Sequence, residues 1–264
     1  ALQQAAQQSA QQRQTSAGDG AGDDAVDPAA NGEERVFEDD PAYDAEVQAI
    51  AGKKMTVAYT NAPPEIDGVL NDPEWNFAER ITDFSQREPD NGEPASERTE
   101  VRMLFDDDAL YFAFYMYDRE PDKIIALDLR RDSRLRTDDT MAVILDTFHD
   151  RRNSYLFRVN PLGTQYDAEI RNERAVNADW DERWDAAVTR TDEGWFAEVR
   201  IPLGSLRYRT GSHVWGIDFK REIRRKNEED NWSNYRRGFQ LNAVSQAGNL
   251  VGSRELGLTQ RFRF

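Results

Sequence analysis

The pattern of apolar and polar residues predicts β-strands over most of the chain. Within Trp195–Ile201, every second residue is apolar, namely Trp195, Ala197, Val199 and Ile201. This period of two predicts a strand with one buried face. Pro202 has no N–H to donate to a neighbouring strand, so we expect the strand to end there.

The segments before and after this strand show the same behaviour. Val101–Phe105 and Leu110–Tyr117 flank an Asp-rich turn and are predicted to form a hairpin. Further strands are predicted at Met141–Leu145, Tyr155–Val159, Tyr166–Ile170, Ala186–Thr189 and Trp215–Ile223. The only good helix start is Asp72-Pro73, with Asp as the N-cap residue. Many short strands and few helices predict an all-β fold, an antiparallel β-sandwich of the jelly-roll or immunoglobulin-like kind.

The same pattern divides the chain into three parts. Residues 1–50 are rich in Gln, Ala and Asp and poor in aromatic residues, so we expect a disordered N-terminal arm. A short helix in its Gln/Ala part is the alternative, since both residues favour helices. Residues 51–225 form the predicted sandwich, and residues 226–264 form a C-terminal extension.

Two segments of the extension alternate aromatic and charged residues, Arg225–Arg237 and Gln260–Phe264. This alternation is typical of a strand in a membrane barrel, and an ordinary edge strand is the alternative. Because the chain has no room for a barrel of its own, we expect it to be a fragment of a longer protein.

Composition excludes several kinds of partner. The net charge of -16 disfavours binding to nucleic acid, and the absence of cysteine excludes disulfides and thiolate metal sites. No apolar run approaches the roughly 18 residues that a membrane helix needs. No signal peptide is present, so the chain is expected to begin at a processed end.

Six segments, taken in order, resemble the family 9 carbohydrate-binding module over roughly residues 55–225. They are Ile66–Trp75, Phe105–Asp118, Asp138–Asp146, Phe157–Ala168, Gly194–Pro202 and Val214–Arg221. The chain is most similar to the exported bacterial subgroup in which such a domain precedes an outer-membrane β-barrel. The resemblance implies a jelly-roll-like sandwich, sugar binding in the best-known members, and often bound calcium.

Sugar recognition needs aromatic faces for the ring and planar polar groups for the hydroxyls. Trp180 and Trp184 lie among acidic residues outside any periodic strand, so we predict them as ligand-binding residues. For Trp184 the alternative is that it opens the next strand and points inward. Trp75, Trp195 and Trp215 are predicted to be core residues instead.

The loop Arg130-Arg131-Asp132 is the second candidate for ligand binding, because Arg and Asp can hold hydroxyls through paired hydrogen bonds. The resemblance implies that a loop in this region reaches toward the ligand, which favours Arg131 and Asp132. A solvated loop with surface ion pairs is the alternative.

Asp138 and Asp139 precede a buried strand, where a carboxylate needs either an Arg or a metal as partner. They are the candidate calcium ligands, and no other cofactor is predicted. The two histidines, His149 and His213, are predicted to be isolated surface residues. Without a recognisable catalytic motif, the chain is predicted to be non-enzymatic.

Two functions therefore remain open. The first is a carbohydrate-binding domain for oligo- or polysaccharide, exported to the periplasm, outer membrane or cell surface. The second is a structural or interaction domain for a membrane barrel or surface assembly, in which the aromatic and Arg-rich regions contact envelope proteins.

Overall fold

The computed structural model describes residues 50–256 together with Ala45, Val47 and Gln48, all within the unit Phe37–Phe264. Residues 50–256 contain thirteen strands and several short 3-10 turns and no α-helix, which confirms the all-β prediction. Most of the predicted arm and the whole Gln260–Phe264 motif lie outside the described residues. Over the described ranges, no helix is long and apolar enough to cross a bilayer.

The strands follow one another along the chain with short connections. They are β1 Lys54–Tyr59, β2 Ser85–Glu88, β3 Thr99–Phe105, β4 Ala109–Tyr117, β5 Thr140–Asp146, β6 Ser154–Val159, β7 Gln165–Arg171, β8 Ala175–Asn177, β9 Asp185–Thr191, β10 Gly194–Pro202, β11 Ser212–Ile223, β12 Glu228–Asn231 and β13 Gly248–Leu256.

Two sheets share β1. The first has the order β8-β7-β6-β5-β11-β13-β1, with β12 and β2 added beside β11, and the second has the order β1-β3-β4-β10-β9. Lys54–Val57 of β1 pairs with β13, and Ala58 and Tyr59 then pair with β3, both in parallel. All other strand pairs are antiparallel, so the prediction is confirmed except for β1.

The main core lies where β4, β5, β10 and β11 face one another. Phe112 of β4 contacts Phe219 of β11 with 6.3 Å between ring centroids. Trp195 and Trp215 are at most 1% exposed, as predicted for core residues. Trp75 is equally buried but belongs to a separate cluster with Tyr111 and other residues of β3 and β4.

One buried carboxylate joins the two most recognisable sequence segments. Glu198 of β10 accepts hydrogen bonds from the backbone N–H of Asp67 (3.1 Å) and Gly68 (2.9 Å) and from Trp75 Nε1 (2.9 Å). Gly68 has φ +85°, and a Cβ there would lie 3.0 Å from the backbone nitrogen of Val188. Only glycine therefore lets this loop approach the sheet so closely.

The predicted helix after Asp72 is shorter than expected. Pro73–Phe77 forms a single 3-10 turn, and the side chain of Asp72 makes no capping hydrogen bond. The turn ends at Ala78, whose backbone is extended, because burial of Trp75 against the sheet fixes this segment rather than its helical propensity.

The predicted boundary at residue 225 is wrong for the described part of the extension. β12 pairs with β11, and β13 lies between β11 and β1 inside the first sheet. A Cβ on Gly248 would lie 2.5 Å from the ring of Trp232, so this glycine lets the indole pack on β13. Gly and Asn residues interrupt the apolar pattern of β13, so the sequence did not predict this strand.

Candidate binding site

A cleft of about 420 Å³ opens beside β6 and β7. The β5–β6 connection contributes Phe148, β6 contributes Tyr155, and β7 contributes Glu169 and Arg171. Arg207, which follows β10, completes this part of the lining. Aromatic and planar charged groups thus meet in one concave surface.

The aromatic part of the site extends beyond the cleft itself. Phe148 is 44% exposed, which is unusual for a phenylalanine. Tyr155 is buried and contacts the partly exposed Trp180, with 4.9 Å between centroids and 35° between planes. Trp180 also meets Phe157 edge-on at 5.8 Å. The predicted candidate Trp180 therefore borders the cleft through Tyr155.

The polar groups of the cleft are already oriented. Glu169 and Arg171 form an ion pair with 2.9 Å between Oε2 and Nη2. The backbone N–H of Arg207 donates to the Tyr155 hydroxyl at 3.3 Å. Burial raises the pKa of Tyr155 despite this hydrogen bond, so the phenol stays neutral at physiological pH.

Two loops at the cleft contain residues in the left-handed backbone region. His149 and Arg151 have φ of 51° and 59° in the β5–β6 loop, and Asn172 and Glu173 have 50° and 60° between β7 and β8. This conformation is costly for residues other than glycine and clusters at functional sites. At Asn172 and Glu173, however, the tight turn between β7 and β8 itself requires this conformation, so the backbone shapes the rim of the cleft without indicating a ligand.

A dense set of hydrogen bonds holds the β5–β6 loop in this conformation. The carboxylate of Asp146 accepts the N–H groups of Asp150 (3.1 Å) and Arg151 (2.7 Å). The guanidinium of Arg151 donates to the carbonyl oxygens of Ala247 (2.8 Å) and Gly248 (3.2 Å) in and before β13. The loop that carries Phe148 is thus rigid before any ligand arrives.

Both histidines differ from the prediction of isolated surface residues. His213 is buried at the start of β11. His149 is partly buried, and its Nε2 lies 3.0 Å from Arg151 Nη2 and 3.1 Å from Asn249 Oδ1. His149 therefore helps to fix the strained loop.

The prediction of an exposed platform at Trp184 is wrong. Trp184 is 5% exposed, its Nε1 donates to Asp167 Oδ1 at 3.0 Å, and its ring meets Phe157 at 5.4 Å. Because β9 starts at Asp185, Trp184 enters the sandwich as the last residue before the strand. Its role is to close the core below Trp180.

The Arg130–Arg134 loop reaches the segment that carries Trp180. Arg131 Nη2 donates to Asp181 Oδ1 (2.9 Å), to the carbonyl of Glu182 (2.7 Å) and to Asp167 Oδ1 (3.2 Å). Arg131 therefore ties the two loops together.

The other two loop candidates differ in their surroundings. Arg130 is exposed, and its side chain lies 3.4 Å from Asp128. Asp132, Asp167 and Asp181 form a group of three carboxylates around Arg131. The positive charge of Arg131 balances part of their negative charge. Direct contact of Arg130, Arg131 or Asp132 with a ligand stays a prediction.

Protein donors surround the carboxylate of Asp138. Its Oδ2 accepts the N–H groups of Leu127 and Asp128 and the Nδ2 of Asn160, at 2.8–2.9 Å, and its Oδ1 accepts the Thr137 hydroxyl. Burial would raise the pKa of Asp138, but these hydrogen bonds outweigh it and lower the pKa.

Asp139 is placed similarly, since its Oδ1 accepts the N–H of Arg224 at 2.8 Å. The contacts of both residues therefore differ from the predicted alternative of an Arg side chain: Asp138 is held by backbone N–H groups, Thr137 and Asn160, and Asp139 by the backbone of Arg224. Calcium stays a prediction.

We expect Asp138→Asn to lower the free energy of unfolding by about 2–4 kcal/mol, because one acceptor becomes a donor facing buried donors. Urea unfolding in calcium-free buffer measures this. The exposed Asp122→Asn serves as the matched control and should change stability by less than about 0.5 kcal/mol. If the loss appears only when calcium is added, Asp138 is a metal ligand instead.

Sequence reasoning missed most of the cleft. Phe148, Tyr155, Glu169, Arg171 and Arg207 were not among the predicted ligand-binding residues. One signal was available, since Phe148 is an apolar aromatic in the polar turn after a buried strand. Tyr155 and Glu169 gave no such signal, because each lies in the regular alternation of a strand.

With this geometry established, comparison with known proteins decides the family. Residues 66–239 match the family described as carbohydrate family 9 binding domain-like. The chain belongs to this family. The match includes β2 to β12 and every predicted site residue, which confirms the resemblance to the family 9 carbohydrate-binding module. No curated protein matches the chain with significance.

Solved structures agree with the family 9 assignment at the level of fold. A family 9 carbohydrate-binding module from Caldicellulosiruptor kristjanssonii in complex with cellotriose has a TM-score of 0.55 and 19% identity, covering 76% of this chain and 93% of that one. The glucose complex from the same organism has the same TM-score and identity, covering 80% and 100%. A protein of Bacteroides uniformis ATCC 8492 to which carbohydrate binding has been attributed has a TM-score of 0.63 and 12% identity, covering 76% and 100%.

Proposed function

We propose that this family 9 chain binds carbohydrate, without catalysis, in the cleft between the β5–β6 loop, β6 and β7. The observation that carries the proposal is the combination of exposed Phe148 with the planar groups of Glu169, Arg171 and Arg207, the first two of which form an ion pair. Aromatic faces cover the apolar side of a sugar ring, and carboxylate and guanidinium groups bond its hydroxyls.

Two further observations support this site. The hydrogen bonds of Asp146 and Arg151 hold the β5–β6 loop in place, which reduces the entropy lost on binding. The volume of about 420 Å³ lies in the range of small-ligand sites and suits a mono- or disaccharide. The cellotriose and glucose complexes of the Caldicellulosiruptor modules show that other members of the family bind such sugars.

We also propose that binding takes place at the cell envelope of the source bacterium, as a domain exported there. The support is the sequence resemblance to the exported subgroup. Fractionation of cells expressing the native gene tests this: the protein should leave the cytoplasmic fraction, and its retention there would contradict the proposal.

The binding test compares two exposed phenylalanines. Phe148→Ala should weaken binding of cellotriose or of the best glycan on an array by about tenfold, which corresponds to about 1.4 kcal/mol of lost ring contact. Phe77, which is 80% exposed in the turn after Pro73, is the matched control, and Phe77→Ala should change affinity less than twofold. Isothermal titration calorimetry measures both.

Trp180→Ala should also weaken binding, since Trp180 supports Tyr155 from behind. If both phenylalanine variants bind a glycan equally, this cleft is not where the glycan binds. If the intact chain binds no glycan, the carbohydrate proposal fails. The alternative of an interaction domain would then take its place.

A further inference from the structure

A second surface with binding chemistry lies on the other sheet, on the outer face of β3, β4 and β10. Tyr115, Tyr117 and Phe196 are each partly exposed there. Phe196 pairs directly with Tyr115 across the strands, and Tyr117 pairs with Gly194, which carries no side chain. We call the three rings and the arginines described below the outer patch.

The three rings contact one another. The planes of Tyr115 and Tyr117 are 13° apart with centroids 6.4 Å apart. Phe196 meets Tyr115 and Tyr117 edge-on, at 6.0 Å and 5.4 Å. Such contacts hold the rings in fixed orientations, so they form a preorganised surface.

The outer face is covered only on one side of these rings. Ile66, Leu70 and Trp75 pack over Leu104 and Tyr111, and this cover reaches Tyr115. Tyr117 and Phe196 belong to no apolar cluster of the described residues. The loop that seals the outer face therefore stops short of the outer patch.

Three arginines surround the rings. Arg98 stacks on Tyr117 with its guanidinium carbon 4.4 Å from the ring centroid, and Arg102 lies 5.4 Å from the centroid of Tyr115. Arg80 approaches from the loop before β2. Cation–π contacts of this kind orient a guanidinium without using its N–H donors.

A single carboxylate balances all three cations. Glu100, whose side chain is 2% exposed, accepts from Arg80 Nη2 (2.8 Å), Arg98 Nη2 (2.8 Å) and Arg102 Nη2 (2.7 Å). Burial would raise the pKa of Glu100, but the hydrogen bonds from these arginines outweigh it and lower the pKa.

Three positive groups against one negative group leave two positive charges uncompensated by Glu100. The side chains of Arg80 and Arg98 are each 54% exposed. A guanidinium has five N–H donors, and Glu100 uses only part of them. Free donors therefore face solvent beside aromatic rings, on a chain whose net charge is -16.

We propose that the outer patch is a second binding site, for a carboxylated sugar of the uronic-acid class. Guanidinium groups pair with carboxylates, tyrosine hydroxyls bond sugar hydroxyls, and aromatic rings contact the apolar side of the sugar. Three rings and three arginines match one or two sugar units, whereas a stable protein partner needs a surface of about 800 Å² on each side. The repulsion from distant acidic residues is weak, because charges more than about 8 Å apart are largely screened in 0.15 M salt.

The test uses a trimer of galacturonic acid as the probe, titrated into the intact chain in 0.15 M salt. We expect Arg98→Gln to weaken binding at least fivefold. Arg190→Gln removes the same charge from the exposed edge strand β9 and should have less than a twofold effect. Arg98→Lys separates guanidinium geometry from charge and should also weaken binding. Thermal unfolding of each variant confirms that it is folded.

The outcomes separate this site from the cleft. Phe148→Ala should leave binding of the acidic trimer unchanged, and Arg98→Gln should leave binding of neutral glycans unchanged. The proposal is overturned if the intact chain does not bind the trimer, if Arg190→Gln and Arg98→Gln weaken binding equally, or if Phe148→Ala abolishes it. A short polyglutamate peptide that binds as tightly as the trimer would show that the outer patch recognises acidic protein segments instead.

Discussion

Replacing Glu198 with alanine should lower the free energy of unfolding by about 3–5 kcal/mol. The carboxylate accepts three hydrogen bonds, from the N–H groups of Asp67 and Gly68 and from Trp75 Nε1. Each buried donor that loses its partner costs about 1–3 kcal/mol. The loss should not be fully additive, since the loop can partly relax toward water.

Replacing Glu198 should also loosen one loop locally, in addition to lowering the global stability. Glu198 is the attachment point of the loop that includes Gly68 and Trp75, so hydrogen exchange of the Asp67 and Gly68 amides should accelerate most. Glu198→Gln keeps one oxygen acceptor and should lose less stability than Glu198→Ala.

Urea unfolding provides the comparison. Glu193 lies exposed in the β9–β10 turn, so Glu193→Ala is the matched control and should stay within about 0.5 kcal/mol of the parent. Equal stabilities of the Glu198 and Glu193 variants would show that the loop is held by the packing of Trp75 alone.

The second large effect is a loss of stability as the pH rises toward 8. Burial, followed by repulsion from Glu228, raises the pKa of Asp230 from 3.8 to about 8, although Arg221 and Lys226 attract the ionised form. The folded state thus binds a proton more tightly than the unfolded state. This stabilisation is complete below pH 3.8 and disappears as the pH rises through about 8.

The size follows from about 1.36 kcal/mol for each pKa unit. Between pH 5 and pH 8, Asp230 alone should remove roughly 3 kcal/mol of stability. Asp218 acts in the same direction, because its burial raises its pKa to about 7. Glu222 does not offset this loss of stability. Burial raises its pKa, but the attraction of Lys220 and nearby arginines outweighs burial and lowers the pKa to about 2. The contribution of Glu222 to stability therefore changes with pH only below 4.5.

Asp230→Asn tests this, because the amide has nearly the shape of the protonated acid and cannot ionise. The variant should match the parent at pH 5 and exceed its free energy of unfolding by roughly 2–3 kcal/mol at pH 8.5. Urea unfolding at both values measures the difference. Parallel pH profiles for the parent and the variant would show that Asp230 is ionised in the folded protein.

How far the sequence predicted the site depended on the kind of residue. Trp180 could be found because an aromatic among acids breaks the strand pattern, and it does border the cleft. Trp184 stands in the same surroundings but is buried, since the direction of a side chain just before a strand depends on where the strand pairs. Tyr155 and Glu169 could not be found, because alternation shows that a residue faces one side but not what lies opposite.

The sequence by itself determined eight of the thirteen strands in residues 50–256, the burial of Trp75, Trp195 and Trp215, and the family, since each depends on local periodicity or on the order of short motifs. Only the tertiary structure decided three other features: the place of β13 inside the sheet, the partners of Glu198 and Asp138, and the meeting of Arg80, Arg98 and Arg102 at Glu100. The physical reason is that these features join residues far apart in the chain. Their contacts depend on strand order and register, and neither can be predicted from a short stretch of sequence.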